Sequence, residues 1–245
     1  IQSFHDARIY YFSHERTGGH LSQLRNFAHT HCKGEFIAYI DSDDLWGKNK
    51  LERQIAGLQK NRSLGFSFTD MIIFNEAGII SERIYNASGS FAGSVFPLML
   101  KNRLIIYHTT LVVRKSCLTQ IGPMDETLHS GDHDIVFFLS RLFDAFVIYE
   151  SLASIRKHDQ NSTLSHDLSL RLMKEHHQTL KKLYAKDLIT HRDYQGSLAV
   201  SSYAFGVQLL PSGDYASARY YFLKCLKITP WHLKAWIRLI NILSK

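Results

Sequence analysis

The chain predicts an α/β layered domain followed by a small all-helical one. Three observations carry that expectation. Short β-rich apolar runs alternate with amphipathic helical stretches as far as residue 165, and no strand pattern follows residue 166. In addition, one apolar strand ends in clustered carboxylates, and open α/β sheets hold their ligands at the carboxyl ends of strands.

The elements follow in order. Arg8–Phe12 and Phe36–Ile40 are continuously apolar and β-rich, which predicts buried strands of a mainly parallel sheet. Between them Gly18–Cys32 sets Leu21, Leu24, Phe27 and Ala28 at helical spacing, and Asn49–Lys60 predicts a second helix with Leu51, Ile55 and Leu58 on one face. Further strands are expected at Gly65–Phe74, Ile105–Arg114 and Ala145–Glu150, with a helix at Asp132–Phe143 burying Ile135, Phe138, Leu139 and Leu142. Leu168–Ile189 then reads as one long helix. Ser197–Leu243 is broken at Pro211-Ser212-Gly213 and again at Pro230, which predicts three helices. The expected domains are 1–165 and 166–245. Within the second, Gly213-Asp214-Tyr215, Ala218, Phe222, Leu226 and Pro230 resemble a single tetratricopeptide unit, which must pack on neighbouring helices to bury its faces.

Composition excludes several classes. With 245 residues, 45% hydrophobic and 21% charged, the chain is neither disordered nor collagen-like. Its apolar runs fall short of the roughly 18 residues that cross a bilayer. Cys32, Cys117 and Cys225 are far apart and lack CxxC spacing, so reduced thiols and a cytoplasmic location are expected. The charge is uneven. Residues 1–165 hold 17 Lys and Arg against 17 Asp and Glu, whereas 166–245 hold 12 against 5, the whole +7 excess. That basic segment is expected to be a solvated helical face, or to meet a protein partner or an anionic membrane surface at the inner face of the membrane. Without a recognisable nucleic-acid module, no nucleic acid is expected.

The strongest chemical signal is Phe36-Ile-Ala-Tyr-Ile-Asp41-Ser-Asp43-Asp44-Leu-Trp46. Three carboxylates within four positions repel one another unless a cation intervenes, and hard oxygen ligands favour Mg²⁺ or Mn²⁺. The competing reading is an acidic turn with Asp44 or Asn49 capping the next helix. Two other Asp-x-Asp readings are weaker. A haloacid-dehalogenase phosphatase places Thr or Val where Leu45 stands, and an EF-hand loop from Asp41 would need Gly where Trp46 stands.

The ordered set Leu24-Arg25-Asn26, Lys33–Ile37, Asp41–Trp46, Lys50–Gln54, Ile121–Glu126, Asp132-His133-Asp134 and Arg156-Lys157-His158, followed by Asn161 and Ser162, resembles family 2 glycosyltransferases of the GT-A fold. The resemblance implies a Rossmann-like mixed sheet flanked by helices. It also implies transfer of a sugar, with inversion, from a nucleotide-sugar donor to a glycan, lipid-linked or other hydroxyl acceptor, in bacterial polysaccharide or surface-glycan assembly. It places Asp41 near the donor ribose, Asp43 on the metal, Asp44 in support of that loop and Arg25 near the donor pocket. Because the family's first strand normally precedes a segment like Ile1–Phe12, an N-terminal portion is expected to be missing, with poor activity of the chain as it stands.

Inversion needs a base opposite the leaving group. Asp132, at a helix start, is the candidate, with Asp134 left open; the position before it, acidic in the family, is Gly131. His158, after a strand, is a candidate to complete the metal site. Trp46 is expected to pack beneath the metal loop or to stack on a sugar ring. The alternative function is a non-catalytic, glycosyltransferase-like interaction module acting through its basic helices.

Overall fold

A computed structural model describes residues 6–13, 20–158 and 165–243. In chain order the elements are α1 (Leu21–His31), β1 (Phe36–Ala38), β2 (Leu45–Trp46), α2 (Lys50–Lys60), β3 (Leu64–Asn75), β4 (Gly78–Ser81), β5 (Ser90–Gly93), α3 (Phe96–Leu100), β6 (Val112–Arg114), α4 (Lys115–Ile121), α5 (Asp132–Leu142), β7 (Asp144–Arg156), α6 (His166–Ala185), α7 (His191–Leu209), α8 (Tyr215–Ile228) and α9 (Leu233–Leu243). A 3₁₀ turn spans His108–Thr110.

The strands form one sheet in the order β1-β6-β3-β7-β2, with β4 beside β3 and β5 beside β7. The long central pair β3 and β7 is parallel, and every other pairing among the described residues is antiparallel. This corrects the mainly parallel expectation. Continuous apolar runs such as Gly65–Phe74 reflect burial on both faces, which the central strands have whatever the direction of their neighbours.

Three other expectations are corrected. Arg8–Phe12 is not a strand, since no other strand lies alongside it among the described residues to take its hydrogen bonds, and Ile9, Tyr10, Tyr11 and Phe12 are exposed. Of Ile105–Arg114 only Val112–Arg114 pairs; the 3₁₀ turn diverts the chain before it. In α2 the buried line is Lys50, Gln54 and Leu58, while Leu51 is exposed.

Likewise α1 buries only Ser22, and Leu21 and Ala28 face solvent. Its inward face is polar. Ser22 Oγ donates to Leu128 O at 2.7 Å, Arg25 Nη1 to Ser130 O at 2.7 Å, and Asn26 exchanges two 2.9 Å bonds with the Met124 backbone. Hydrogen bonds, rather than an apolar stripe, hold this helix against residues 124–132.

The main core joins Phe66, Phe68, Val113 and Val147 of the sheet and Leu111 just before β6 to Ile135 and Leu139 of α5 and to Leu180 and Leu183 of α6. A second core joins Met173 of α6 to Ala218, Phe222 and Cys225 of α8 and Ala235 and Leu239 of α9. Helix α6 therefore contributes to both. Helices α7 and α8 pack closely at Gly206, where an added Cβ would come 2.7 Å from the Phe222 ring. All three cysteines are free. No helix among the described residues is long and apolar enough to cross a membrane.

Candidate active site

The acidic run sits in a turn. Asp44 N donates to Asp41 O at 3.2 Å, closing the four residues Asp41–Asp44, and Asp is a favoured first residue in such turns. The next two residues form β2, which pairs with the far end of β7 in the register Leu45↔Ser154 and Trp46↔Ala153. That pairing draws residues 156–158 to the acidic turn. The buried Asp44 carboxylate accepts from Arg156 N at 3.2 Å, and His158 Nε2 lies 3.0 Å from Asp43 Oδ2. Burial pushes the Asp44 carboxyl up, whereas the hydrogen bond from His158 holds the Asp43 carboxyl down. Asp41 is exposed.

Trp46 is a structural anchor. Its Nε1 donates to Thr109 O at 2.7 Å, and Lys50 Nζ stands 4.3 Å from its ring centroid. One turn along α2, Gln54 Nε2 donates to Thr110 O at 3.0 Å. These contacts give the run Lys50–Gln54 a physical role: it clamps the 108–110 turn against the acidic loop. Lys50 Nζ is buried without a hydrogen-bond partner, and burial draws its pKa down to about 7.

The clamped turn carries His108. The ring is buried, neither nitrogen has a hydrogen-bond partner, and Nδ1 lies 3.6 Å from Asp132 Oδ1. Burial, followed by the nearby Arg25 charge, keeps its pKa well below the ordinary histidine value. Asp132 is the first residue of α5, whose N-cap is Gly131 in the left-handed region (φ 66°), and its N–H donates to Ser130 Oγ at 3.2 Å. The Asp132 carboxylate pairs with Arg25 through Oδ1. The Arg25 guanidinium, lowered by burial, also feels the charge of Asp41. Thus Arg25 and His108 connect the acidic loop to Asp132.

Asp134 is turned elsewhere. It is buried against α6, accepting from Thr179 Oγ1 and, at 2.6 Å, from Lys182 Nζ. A cavity of about 790 Å³ lined by Phe96, Arg141, Leu188 and Arg192 opens at the opposite end of α5 and holds none of the residues above. Asn161 and Ser162 lie outside the described residues. The sequence pattern singled out neither His108 nor Tyr39, whose ring packs edge-on against it at 5.1 Å.

Residues 1–117 match the family model described as Glycosyl transferase family 2. Among curated relatives, the chain is 37% identical over 127 residues to an uncharacterized glycosyltransferase of Rickettsia bellii, covering 52% of this chain and 17% of that protein. It is 30% identical over 154 residues to the putative teichuronic acid biosynthesis glycosyltransferase TuaG of Bacillus subtilis, covering 62% and 58%. It is 37% identical over 82 residues to the UDP-Glc:alpha-D-GlcNAc-diphosphoundecaprenol beta-1,3-glucosyltransferase WfgD of Escherichia coli, covering 34% and 32%. The chain thus spans less than two thirds of the length of each. These likenesses support a family 2 glycosyltransferase, and the mixed sheet flanked by helices with further helices behind it is the GT-A type of α/β fold.

Proposed function

We infer that the chain transfers a sugar from a nucleoside-diphosphate donor to a hydroxyl acceptor, with inversion and with help from a divalent ion. The observation that carries this reading is the bridge from acidic loop to helix start: Trp46 and Gln54 hold the 108–110 turn, and that turn and Arg25 both reach Asp132.

The donor set suits a hard cation. Among the described residues no three His, Cys, Asp or Glu side chains gather tightly enough to hold an ion by themselves. Mg²⁺ and Mn²⁺ do not require that, because they keep waters and take oxygens from substrate phosphates beside one or two protein ligands. Asp43 Oδ2 would supply a carboxylate of that kind, and His158 Nε2, 3.0 Å from it, would add a nitrogen ligand better matched to Mn²⁺ than to Mg²⁺. When bound, the ion would stabilise the negative charge that grows on the departing diphosphate. Asp44 serves the loop by fixing Arg156 N, and Asp41 stands at the exposed edge where a ribose would lie.

Asp132 is the base in this reading. Among the described residues only its Oδ1 is engaged, so Oδ2 is free to take the proton of the acceptor hydroxyl as that oxygen attacks the anomeric carbon. Arg25 and His108 orient the carboxylate. The name of the Escherichia coli relative supports a lipid-linked glycan as acceptor class, and the name of the Bacillus subtilis relative supports surface-polysaccharide assembly.

Thermal protection tests the reading on the full-length protein. A panel of nucleotide sugars with Mn²⁺ should raise the unfolding midpoint of the unmodified protein, since a ligand that binds only the folded state stabilises it by mass action. The Asp43→Ala variant should lose the Mn²⁺-dependent part. Equal protection of both would remove Asp43 from the metal site, and absence of metal-dependent turnover by the unmodified protein would leave the interaction-module reading in its place.

A further inference from the structure

The last helix has two apolar faces. At 100° per residue, Ala235, Leu239 and Ile242 share one face of α9, and the first two are buried in the second core. Leu233, Trp236, Ile237 and Ile240 cluster on the opposite side, where they are exposed by 70%, 44%, 48% and 60%. Trp231, just before the helix, is 81% exposed. Lys234 and Arg238 flank the outward stripe, and both are exposed. A soluble helix ordinarily directs polar residues away from its core, and no described residue covers this outward apolar stripe.

Charge narrows what that partner is. From Tyr215 to Lys245 the sequence contains no Asp or Glu, and it carries Arg219, Lys224, Lys227, Lys234, Arg238 and Lys245. On α8, Tyr220 and Leu223 are also exposed, beside Arg219 and Lys227. A further protein helix would be met by apolar complementarity alone and would not require this single-sign field. An anionic bilayer surface matches both features, because apolar and aromatic side chains enter the headgroup boundary while lysine and arginine meet lipid phosphates. Indole rings favour that boundary, and two of them bracket the start of the stripe.

We propose that α9, with Trp231 ahead of it, is an interfacial helix that docks the protein on an anionic phospholipid surface. Leu233, Trp236, Ile237 and Ile240 enter the headgroup layer, and Lys234 and Arg238 pair with phosphates. The helix lies on the membrane and does not span it. This inference is independent of the sugar-transfer reading, since no residue of the Asp43–Asp132 site takes part.

The test is co-sedimentation of the full-length protein with vesicles of phosphatidylcholine alone or mixed with phosphatidylserine, at low and high salt. Binding should require phosphatidylserine and fall with salt. Lys234→Gln and Arg238→Gln should each weaken it about fivefold, the effect of one surface charge at a membrane. Ile237→Glu/Ile240→Glu should abolish it. These side chains are exposed, so far-UV circular dichroism and the unfolding midpoint should not move. Blue-shifted tryptophan emission on binding, lost in Trp231→Ala/Trp236→Ala, places the indoles in the lipid. Equal binding to both vesicle types, or binding that survives Ile237→Glu/Ile240→Glu, overturns the proposal. So does a chain that binds no vesicles and instead self-associates through this stripe. Asp43→Ala should bind vesicles normally, which separates failure here from failure at the sugar site.

Discussion

Asp132 and Asp134 stand two residues apart at the start of α5, and they have opposite fates. About 200° of helical rotation separates them. Asp132 points to α1 and the 108–110 turn, where Arg25 holds one carboxylate oxygen, His108 lies 3.6 Å from it, and a side chain that is 39% exposed leaves the other oxygen accessible. Asp134 points to α6, where Thr179 and Lys182 take up its oxygens. One carboxylate keeps an accessible oxygen, and the other fastens α6 to α5. Identical residue types at the same helix end therefore do different work because different elements face them.

On the sugar-transfer reading proposed above, the largest effect should come from Asp132→Asn. Transfer should fall by about 10²–10⁴-fold, the usual contribution of a general base, while nucleotide-sugar protection against heating persists. An equal loss in Asp134→Asn with the fold intact would break the contrast between the two faces. Asp134→Ala should act on stability instead. Removing one member of a buried pair costs about 3–5 kcal/mol, and here about 2 kcal/mol is expected in urea unfolding, because Lys182 keeps Asp125 at 2.7 Å.

Gly131, between the two faces, should be next. A Cβ there would meet Met124 Sδ at 3.0 Å, and its φ of 66° disfavours any side chain, so Gly131→Ala should cost about 1–2 kcal/mol.

A pH titration sharpens the α5–α6 side. Burial lowers His133 to about 4 and His177 to about 3, and the His133 ring stands edge-on to His176 at 5.1 Å. The folded state keeps these rings neutral, so the unfolded chain takes up protons first as pH falls through about 6.5. Stability should be full above that value and decline below it, by about 1 kcal/mol between about pH 7 and pH 6 for the two together. His133→Phe should flatten the slope of the unfolding midpoint against pH; an unchanged slope would show that His133 is not the group that titrates.

Much of the fold was legible because it depends on local chemistry. Pro211 and Pro230 end helices wherever they occur, and α7, α8 and α9 respect both breaks. The apolar run Gly65–Phe74 and the existence of the helix from Asp132 likewise express composition and period. That helix buries Ile135 and Leu139 as expected, but Phe138 is half-buried, Leu142 is exposed and Val136 and Phe137 are buried instead, because both the sheet and α6 cover it. What failed depended on neighbours. Arg8–Phe12 has strand composition but no strand beside it among the described residues, and α1 docks through Ser22, Arg25 and Asn26 where an apolar stripe was expected. Similarly, Lys50 and Gln54 are buried because Trp46 and the Thr110 carbonyl receive them, which no periodicity rule anticipates.

The sequence by itself determined that three carboxylates follow the apolar run Phe36–Ile40, of which only Phe36–Ala38 pairs as a strand, that glycine precedes Asp132, and that the chain's excess positive charge lies beyond residue 165. Only the tertiary structure decided which of these groups meet. His158 comes to Asp43 across 115 residues through the β2–β7 register, and His108 reaches Asp132 through a turn held by Trp46. The physical reason is that side-chain chemistry and helical period are local properties. Strand pairing and the hydrogen bonds that lock a turn are contacts between distant segments, and these form only when the whole sheet closes.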